Sequence, residues 1–196
     1  PQEQVRAQAL QSFRQSSDLE KLILDFVLRF KDSGFTQEHV TATSLQLENP
    51  HRAALFLKVA FLVFDAYQAA LRAHDKIDFS DMIRDAVEVL RARRVETPYR
   101  LILVDEFQDI ARLKADLVKA ILDQAPNSSI VFCVGDDWQT INRFAGSDVS
   151  IFTGVSSYFN RHTQQLQLTR TFRCAQGIAD VSRAVVMTNP TQFDKV

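Results

Sequence analysis

Two short apolar segments that end in acidic residues constrain this chain more than any other feature. Leu101-Ile102-Leu103-Val104 leads into Asp105-Glu106, and Ile130-Val131-Phe132-Cys133-Val134 leads into Gly135-Asp136-Asp137. Continuous apolar runs of this length are typical of strands buried on both faces of a parallel sheet. We therefore expect two such strands, with their acids at the carboxyl ends.

The segments around these strands predict an α/β fold. Residues 113–122 have the periodicity of a crossover helix, Leu166 and Leu168 mark a third strand, and a helix is expected from about Gln176. Alternating strands and helices predict a parallel sheet with right-handed crossovers. Such sheets bind ligands at the carboxyl ends of their strands, where these acids fall.

The first part of the chain has a helical period. Ser17 and Glu20 form a capping-box pattern at the start of one helix, Gly34 is a plausible end, and another helix begins near Thr36. Asp78-Phe79-Ser80 opens a later helix. This part is predicted to be all helical.

One apolar segment, from Pro50 to Ala73, has apolar residues around most of its circumference. We expect a helix here that packs between neighbours, with Pro50 in its first turn. Lys58, Asp65, Gln68 and Arg72 interrupt the run, so the segment is not predicted to span a membrane.

Composition excludes several classes of protein. The 196 residues include 23 basic and 24 acidic side chains, for a net charge of −1, and 46% are hydrophobic. This balance argues against a disordered polyelectrolyte and a globally basic nucleic-acid coat. Cys133 and Cys174 have no CxxC or paired-histidine context, so a reducing, cytoplasmic location is expected.

The stretch Asp105-Glu106-Phe107-Gln108-Asp109 is the most informative about chemistry. Two adjacent carboxylates after a buried strand suit a site in which one holds hydrated Mg²⁺ and the other orients or deprotonates water. The alternative is that these acids only begin a turn or cap the next helix.

Two further segments follow later strands. Gln139 has an amide that could sense a phosphate oxygen, and Phe144 has a ring that could stack on a nucleobase. Arg173 could clamp the charge that develops on a phosphoryl group. The alternatives are core packing for Phe144 and a surface ion pair for Arg173.

Together these segments resemble the UvrD/Rep family of superfamily 1 DNA helicases, most closely its DNA helicase IV branch. Residues 105–109 are similar to the family's Walker B motif, residues 135–146 to its third motif and residues 168–173 to its fourth. The segment 78–82 is similar to the family's sequence just upstream of Walker B. The resemblance covers about residues 78 to 185.

The resemblance implies roles for individual residues in binding ATP and Mg²⁺. Asp105 and Glu106 would lie at the metal, and Glu106 would also activate water. Gln139 would contact the γ-phosphate, and Arg173 would stabilise the transition state. For DNA, Phe144 matches the family's base-stacking tryptophan; the neighbouring Asn142 and Arg143 are expected contacts.

The family pattern is not complete in this chain. Asn142 stands where the family usually has tyrosine, and Ala145 where arginine is common. No Gly-x-x-x-x-Gly-Lys-[Ser/Thr] phosphate loop occurs in the 196 residues. We therefore expect an internal part of a longer helicase, inactive alone, whose partners are single-stranded DNA, DNA junctions and the rest of the polypeptide.

The resemblance also implies a domain organisation. Residues 1–77 would be an all-helical accessory region, 78–165 the last part of a first RecA-like ATPase domain, and 166–196 the start of a second. The parent would be an ATP-dependent helicase that moves 3′ to 5′ along DNA.

Two other functions stay open at this point. One is a non-catalytic scaffold that binds DNA or a partner through a degenerate helicase fold. The other is a metal-dependent nuclease with a two-metal acidic cluster. That cluster would consist of Asp105, Glu106, Asp109, Asp136 and Asp137.

Overall fold

The computed structural model of this chain describes residues 2–124, 128–136, 139, 148–168 and 172–186. The chain divides into two compact units, Pro1–Arg94 and Val95–Val196. The described part of the first unit is helical, and the second combines helices with a small parallel sheet. The three domains predicted from the sequence stay predictions.

Four helices make up the described part of the first unit: α1 (Gln2–Ser33), α2 (Gln37–Ser44), α3 (Pro50–Ala73) and α4 (Phe79–Arg91). Local signals fix most of their ends. Gly34, with φ of 66°, follows α1, and the Thr36 hydroxyl accepts the His39 N–H at the start of α2. The predicted helix starts at Thr36, Pro50 and Asp78 are confirmed.

The predicted helix start at Ser17 is wrong, because α1 runs through this position from Gln2. No proline or glycine occurs between residues 2 and 16 to stop a helix. A capping-box pattern marks a helix start only where the preceding backbone leaves the helical conformation.

A buried charge cluster joins α1 to α4. The Lys31 side chain is fully buried, and its ammonium group lies 2.6 Å from Asp78 and 2.7 Å from Asp81. The Tyr67 hydroxyl on α3 donates to the same Asp78 oxygen at 2.9 Å, and the Gln68 amide donates to Asp81 at 3.0 Å. Three helices therefore meet at the start of α4.

Apolar contacts reinforce this arrangement. Phe26 and Phe30 of α1 pack edge-on against rings of α3. Among residues 18–94, whose side chains the structure describes, the buried apolar residues are Ile23, Val27, Phe30, Leu57, Ala60, Val87 and Leu90. The core thus draws on α1, α3 and α4.

The prediction that α3 packs between neighbours with most of its apolar circumference covered is wrong for the described residues, although α1 and α2 do contact it. Leu55 and Leu62 are 55% and 65% exposed, whereas Leu57 and Ala60 are buried. The described helices α1 and α2 contact α3 and leave part of its apolar circumference open. By length and composition alone α3 could cross a membrane, a criterion that core helices of soluble proteins also meet.

In the second unit the described strands and α-helices follow the order β1 (Leu101–Val104), α5 (Arg112–Leu122), β2 (Ile130–Cys133), α6 (Val149–Thr153), α7 (Val155–Phe159) and α8 (Gln176–Val186). The two strands are parallel, with Leu101 opposite Ile130 and Val104 opposite Cys133. The predicted parallel crossover through a helix is confirmed. So is the helix at Gln176.

One face of this sheet is partly buried. Ile102, Val104, Val131 and Cys133 pack against a core that includes Phe107, Leu122, Ile151 and Phe159. On the opposite face Leu103 and Phe132 are 68% and 52% exposed. The expected burial on both faces is therefore wrong here, because the described helices cover one face only.

The predicted third strand is also wrong for the described residues. Residues 162–168 have no regular secondary structure, and Leu166 and Leu168 are 75% and 95% exposed. A strand is stable when neighbouring strands satisfy its backbone hydrogen bonds. The two-stranded sheet described here includes no pairing to this segment.

Candidate active site at the carboxyl ends of the two strands

The ends of the two parallel strands are fastened to each other by backbone hydrogen bonds. The Val134 N–H donates to the Val104 carbonyl at 2.8 Å, and the Phe107 N–H donates to the Val134 carbonyl at 2.9 Å. These bonds continue the sheet beyond its last paired residues. The acids that follow β1 therefore lie next to the loop that follows β2.

Glu106 adopts an unusual backbone conformation at this edge. Its φ of 49° and ψ of 43° lie in the left-handed region, which is uncommon for residues other than glycine. The Asp105 carboxylate accepts the Glu106 N–H at 2.9 Å, and the Glu106 carbonyl accepts the Asp109 N–H at 2.9 Å. The chain then forms a single 3-10 turn, Phe107–Asp109.

Phe107 anchors this turn in the core. Only 1% of its surface is exposed, and its ring lies 6.0 Å from that of Phe152 and 6.2 Å from that of Phe159. Burying the side chain that follows Glu106 fixes the turn. Asp105 and Glu106, just before this turn, are exposed at the strand end.

A hydrogen-bonded chain of side chains leads from Glu106 to the second loop. The Gln108 amide donates to Glu106 Oε2 at 2.7 Å, and Gln108 Oε1 accepts the Asp136 N–H at 2.9 Å. The Gln139 amide in turn donates to Asp136 Oδ2 at 2.8 Å. We call Glu106, Gln108, Asp136 and Gln139 the strand-end network.

The carboxylate oxygens at this edge of the sheet are suited to binding one hydrated cation. One Asp105 oxygen accepts a backbone N–H, and a carboxylate accepts at both oxygens, so the second can bind Mg²⁺. Magnesium sites that include substrate phosphates use only one or two protein carboxylates. Asp105 therefore fits the predicted cation role.

Comparison with known protein families decides the classification. The model of the UvrD/REP helicase N-terminal domain matches residues 2–160, which include both strands and the strand-end network.

This chain belongs to the UvrD/REP helicase family.

Three relatives illustrate the range of similarity. DNA helicase IV of Escherichia coli (strain K12) is 35% identical over 139 residues, 71% of this chain and 20% of the relative. ATP-dependent DNA helicase UvrD1 of Mycobacterium tuberculosis (strain ATCC 25618 / H37Rv) is 28% identical over 167 residues, which cover 76% of this chain and 22% of the relative. ATP-dependent DNA helicase PcrA of Leuconostoc citreum is 27% identical over 139 residues, which cover 68% of this chain and 18% of the relative.

The UvrD/REP resemblance drawn from the sequence motifs is thus confirmed. This chain spans about a fifth of the length of these relatives.

The structure brings some predicted residues of the UvrD/REP motifs together. Glu106 and Gln139 are joined through two intermediates, and Asp105 is bonded to Glu106. Arg173 is exposed in the bend before α8, and its convergence with Glu106 and Gln139 stays a prediction. Three predicted DNA contacts lie outside the described residues: Asn142, Arg143 and Phe144.

Sequence reasoning missed Gln108 as a site residue. It is 2% exposed and uses both ends of its amide. Its position two residues after Glu106, directly behind a buried phenylalanine, was the available signal. Nothing local to this pentapeptide identifies Asp136 as its second partner.

The two-metal nuclease hypothesis has no support among the described residues. Within them, no group of three or more His, Cys, Asp or Glu side chains could hold a metal ion. One member of the proposed cluster, Asp137, lies outside the described residues.

Cys133 is an inert member of this region. It is half-buried in β2 and packs against the core. Burial raises the pKa of its thiol to about 11, so the reactive thiolate is scarce at neutral pH. The thiol therefore serves packing rather than chemistry.

Proposed function

We propose that this chain is the Walker B part of an ATP-dependent DNA helicase that moves 3′ to 5′ along single-stranded DNA. Two relatives, 28% and 27% identical to this chain over the matched residues, are named ATP-dependent DNA helicases. The observation that carries the proposal is the strand-end network, which links a candidate water-activating carboxylate to a candidate phosphate-sensing amide. Cytoplasmic location and DNA junctions as substrates belong to the same proposal.

In this proposal Asp105 and Glu106 divide the work at the phosphates. Asp105 would hold Mg²⁺, and the bound ion would neutralise charge on the phosphate oxygens. Glu106 accepts a proton from the attacking water and orients it for in-line attack. Its backbone bonds to Asp105 and Asp109 support this role, because they hold the carboxylate at the strand end.

Gln139 and Arg173 complete the proposed nucleotide site. The Gln139 amide, which here donates to Asp136, would donate to the γ-phosphate when ATP is bound. Arg173 would approach as a planar donor and stabilise the charge of the transition state. Release of phosphate would then remove a contact at Gln139 and change the loop that carries it.

The DNA side of the proposal rests on the segment after Gln139. Phe144 would stack on a base, with Asn142 and Arg143 as neighbouring contacts. Such stacking is tolerant of sequence, as a translocating motor requires. The parallel strands would belong to a RecA-like sheet, and the helices of the first unit to an accessory region.

The proposal requires a longer polypeptide. This chain has no Gly-Lys phosphate loop in its 196 residues, and backbone N–H groups of such a loop with its lysine provide most phosphate contacts. We therefore expect that residues 1–196 alone do not hydrolyse ATP. The rest of the polypeptide would supply the loop and the other half of the site.

The test is the substitution Glu106→Gln in the longer polypeptide. An amide cannot accept the proton of the water, so ATP turnover with single-stranded DNA should fall by about 10²- to 10⁴-fold while equilibrium ATP binding is kept. Exposed Glu96, in the same unit, provides the matched control Glu96→Gln, which should leave turnover unchanged.

Unchanged turnover in Glu106→Gln would refute the catalytic assignment. A wild-type polypeptide that binds DNA but shows no DNA-stimulated ATP turnover would favour the non-catalytic scaffold. DNA cleavage that depends on Mg²⁺ and on Asp136 would favour the nuclease.

A further inference from the structure

Gln108 is held on both sides of its amide. The NH₂ group donates to Glu106 Oε2 and Oε1 accepts the Asp136 N–H, at 2.7 and 2.9 Å. A carboxylate only accepts and a backbone N–H only donates, so one orientation of the amide satisfies both partners. With 2% of its surface exposed, Gln108 has little freedom to turn toward water.

Gly135 provides the space for this side chain. A Cβ atom built at this position would lie 2.5 Å from Gln108 Oε1 and 2.8 Å from the Phe152 ring. Both distances are shorter than van der Waals contact. A larger residue at position 135 would therefore displace the Gln108 amide or the Phe152 ring where the loop after β2 approaches them.

We infer that Gln108 is a positioning residue that fixes the Glu106 carboxylate and ties it to the loop carrying Gln139. The expected effect of Gln108 on ATP turnover rests on the proposed function. Glu106 is exposed and has a left-handed backbone conformation. The hydrogen bond from Gln108 holds one of its two carboxylate oxygens in place. The other oxygen is then oriented for the proton of the water.

The same side chain connects the two loops. Gln108 binds the backbone of Asp136, whose carboxylate accepts the Gln139 amide. When Gln139 turns to a phosphate, it leaves Asp136 and removes one end of the network. The Glu106 carboxylate and the sensing amide are thus positioned through one shared intermediate.

Two substitutions separate the two halves of this role. Gln108→Glu keeps the shape and the acceptor for the Asp136 N–H but replaces the donor to Glu106 with a second carboxylate. Gln108→Met removes both hydrogen bonds. In the longer polypeptide, both should lower kcat for ATP about tenfold or more, with KM for ATP changed less than about threefold.

Gln124 provides the matched control. Its amide also bridges two partners, donating to the Val95 carbonyl at 2.6 Å and accepting the Thr97 N–H at 2.7 Å. Gln124→Met should lower the melting temperature comparably to Gln108→Met and leave kcat unchanged. A similar loss of kcat in both would mean that Gln108 acts only through stability.

Hydrogen exchange at the Asp136 amide gives a readout that does not depend on activity. Gln108→Met should accelerate this exchange about tenfold or more, whereas Gln108→Glu and Gln124→Met should leave it nearly unchanged. Unchanged exchange in Gln108→Met would overturn the inference whatever the enzyme does.

The outcomes also separate this inference from the proposed function. If Glu106→Gln abolishes turnover and both Gln108 substitutions leave kcat intact, the positioning role is wrong and the proposed function stands. If Glu106→Gln retains full turnover, the proposed function itself is wrong.

Discussion

Glu106 has a backbone conformation that neighbouring residues must stabilise. A left-handed residue other than glycine costs about 1–3 kcal/mol, and φ at Glu106 is 49°. The bond from its N–H to Asp105 and the burial of Phe107 offset that cost. The strain is located at the residue whose carboxylate carries the proposed chemistry.

The sequence predicted individual residues of the candidate site, Asp105, Glu106 and Gln139, but not the contacts that connect its two loops. Asp105 and Glu106 follow an apolar run, so strand and acids are recognised together. Gln108 depends on Gly135 and Asp136, which follow the next strand. Its role needs the register of two strands, which no local pattern contains.

Lys31 stabilises the first unit through a charge that is removed from water. Lys31→Met would leave Asp78 without the ammonium group 2.6 Å away and Asp81 with only Arg84, at 3.5 Å. Removing one partner of a buried pair is strongly destabilising. Because both carboxylates are partly exposed, we expect a loss of about 2–3 kcal/mol in the free energy of unfolding. Urea denaturation followed by circular dichroism measures it.

Exposed Lys58 on α3 provides the control. Lys58→Met should change the free energy of unfolding by less than about 0.5 kcal/mol. Equal effects of the two substitutions would show that the buried cluster contributes nothing specific.

At the scale of elements, most helix ends could be predicted from the sequence, with the exception of the start at Ser17, and the sheet less well. Thr36, Pro50 and Asp78 act through hydrogen bonds or ring geometry within three or four residues, so sequence suffices. The exposed face of β1 and β2 and the absence of a strand at Leu166 depend on what packs nearby in the described residues. An apolar run indicates what a strand could bury, and not what covers it.

The start of α4 should respond to pH through Asp78. Burial disfavours the Asp78 carboxylate, but hydrogen bonds from Lys31, the Asp81 N–H and Tyr67 outweigh it and lower its pKa from the ordinary value of 3.8. Ionised Asp78 therefore stabilises the fold above pH 3.8, and this contribution is lost as pH falls through the lowered pKa. Asp78→Asn should be less stable than wild type at pH 7, with the difference shrinking below about pH 4.

The measurement is urea unfolding of both proteins from pH 7 to pH 2. Asp18→Asn, at an exposed position of α1, is the control and should leave the profile unchanged. A difference between wild type and Asp78→Asn that stays constant down to pH 2 would contradict the role assigned to the ionised carboxylate.

At the scale of the whole molecule, the family could be predicted from the sequence, but the way in which the proposed site is completed could not. Three motifs in a fixed order carried the resemblance, and the UvrD/REP helicase model matches residues 2–160. The proposed nucleotide site needs groups that these 196 residues lack, above all a phosphate loop. Its completion by the rest of a polypeptide is therefore the point on which the proposed function depends.

The most direct test is a crystal structure of the longer polypeptide with Mg²⁺ and a non-hydrolysable ATP analogue. We predict that the Glu106 carboxylate reaches the γ-phosphate through one water, with contacts of about 3 Å, and that the Gln139 amide and the Arg173 guanidinium donate to its oxygens. A structure in which these three side chains lie on separate surfaces, with the analogue bound elsewhere, would contradict the account.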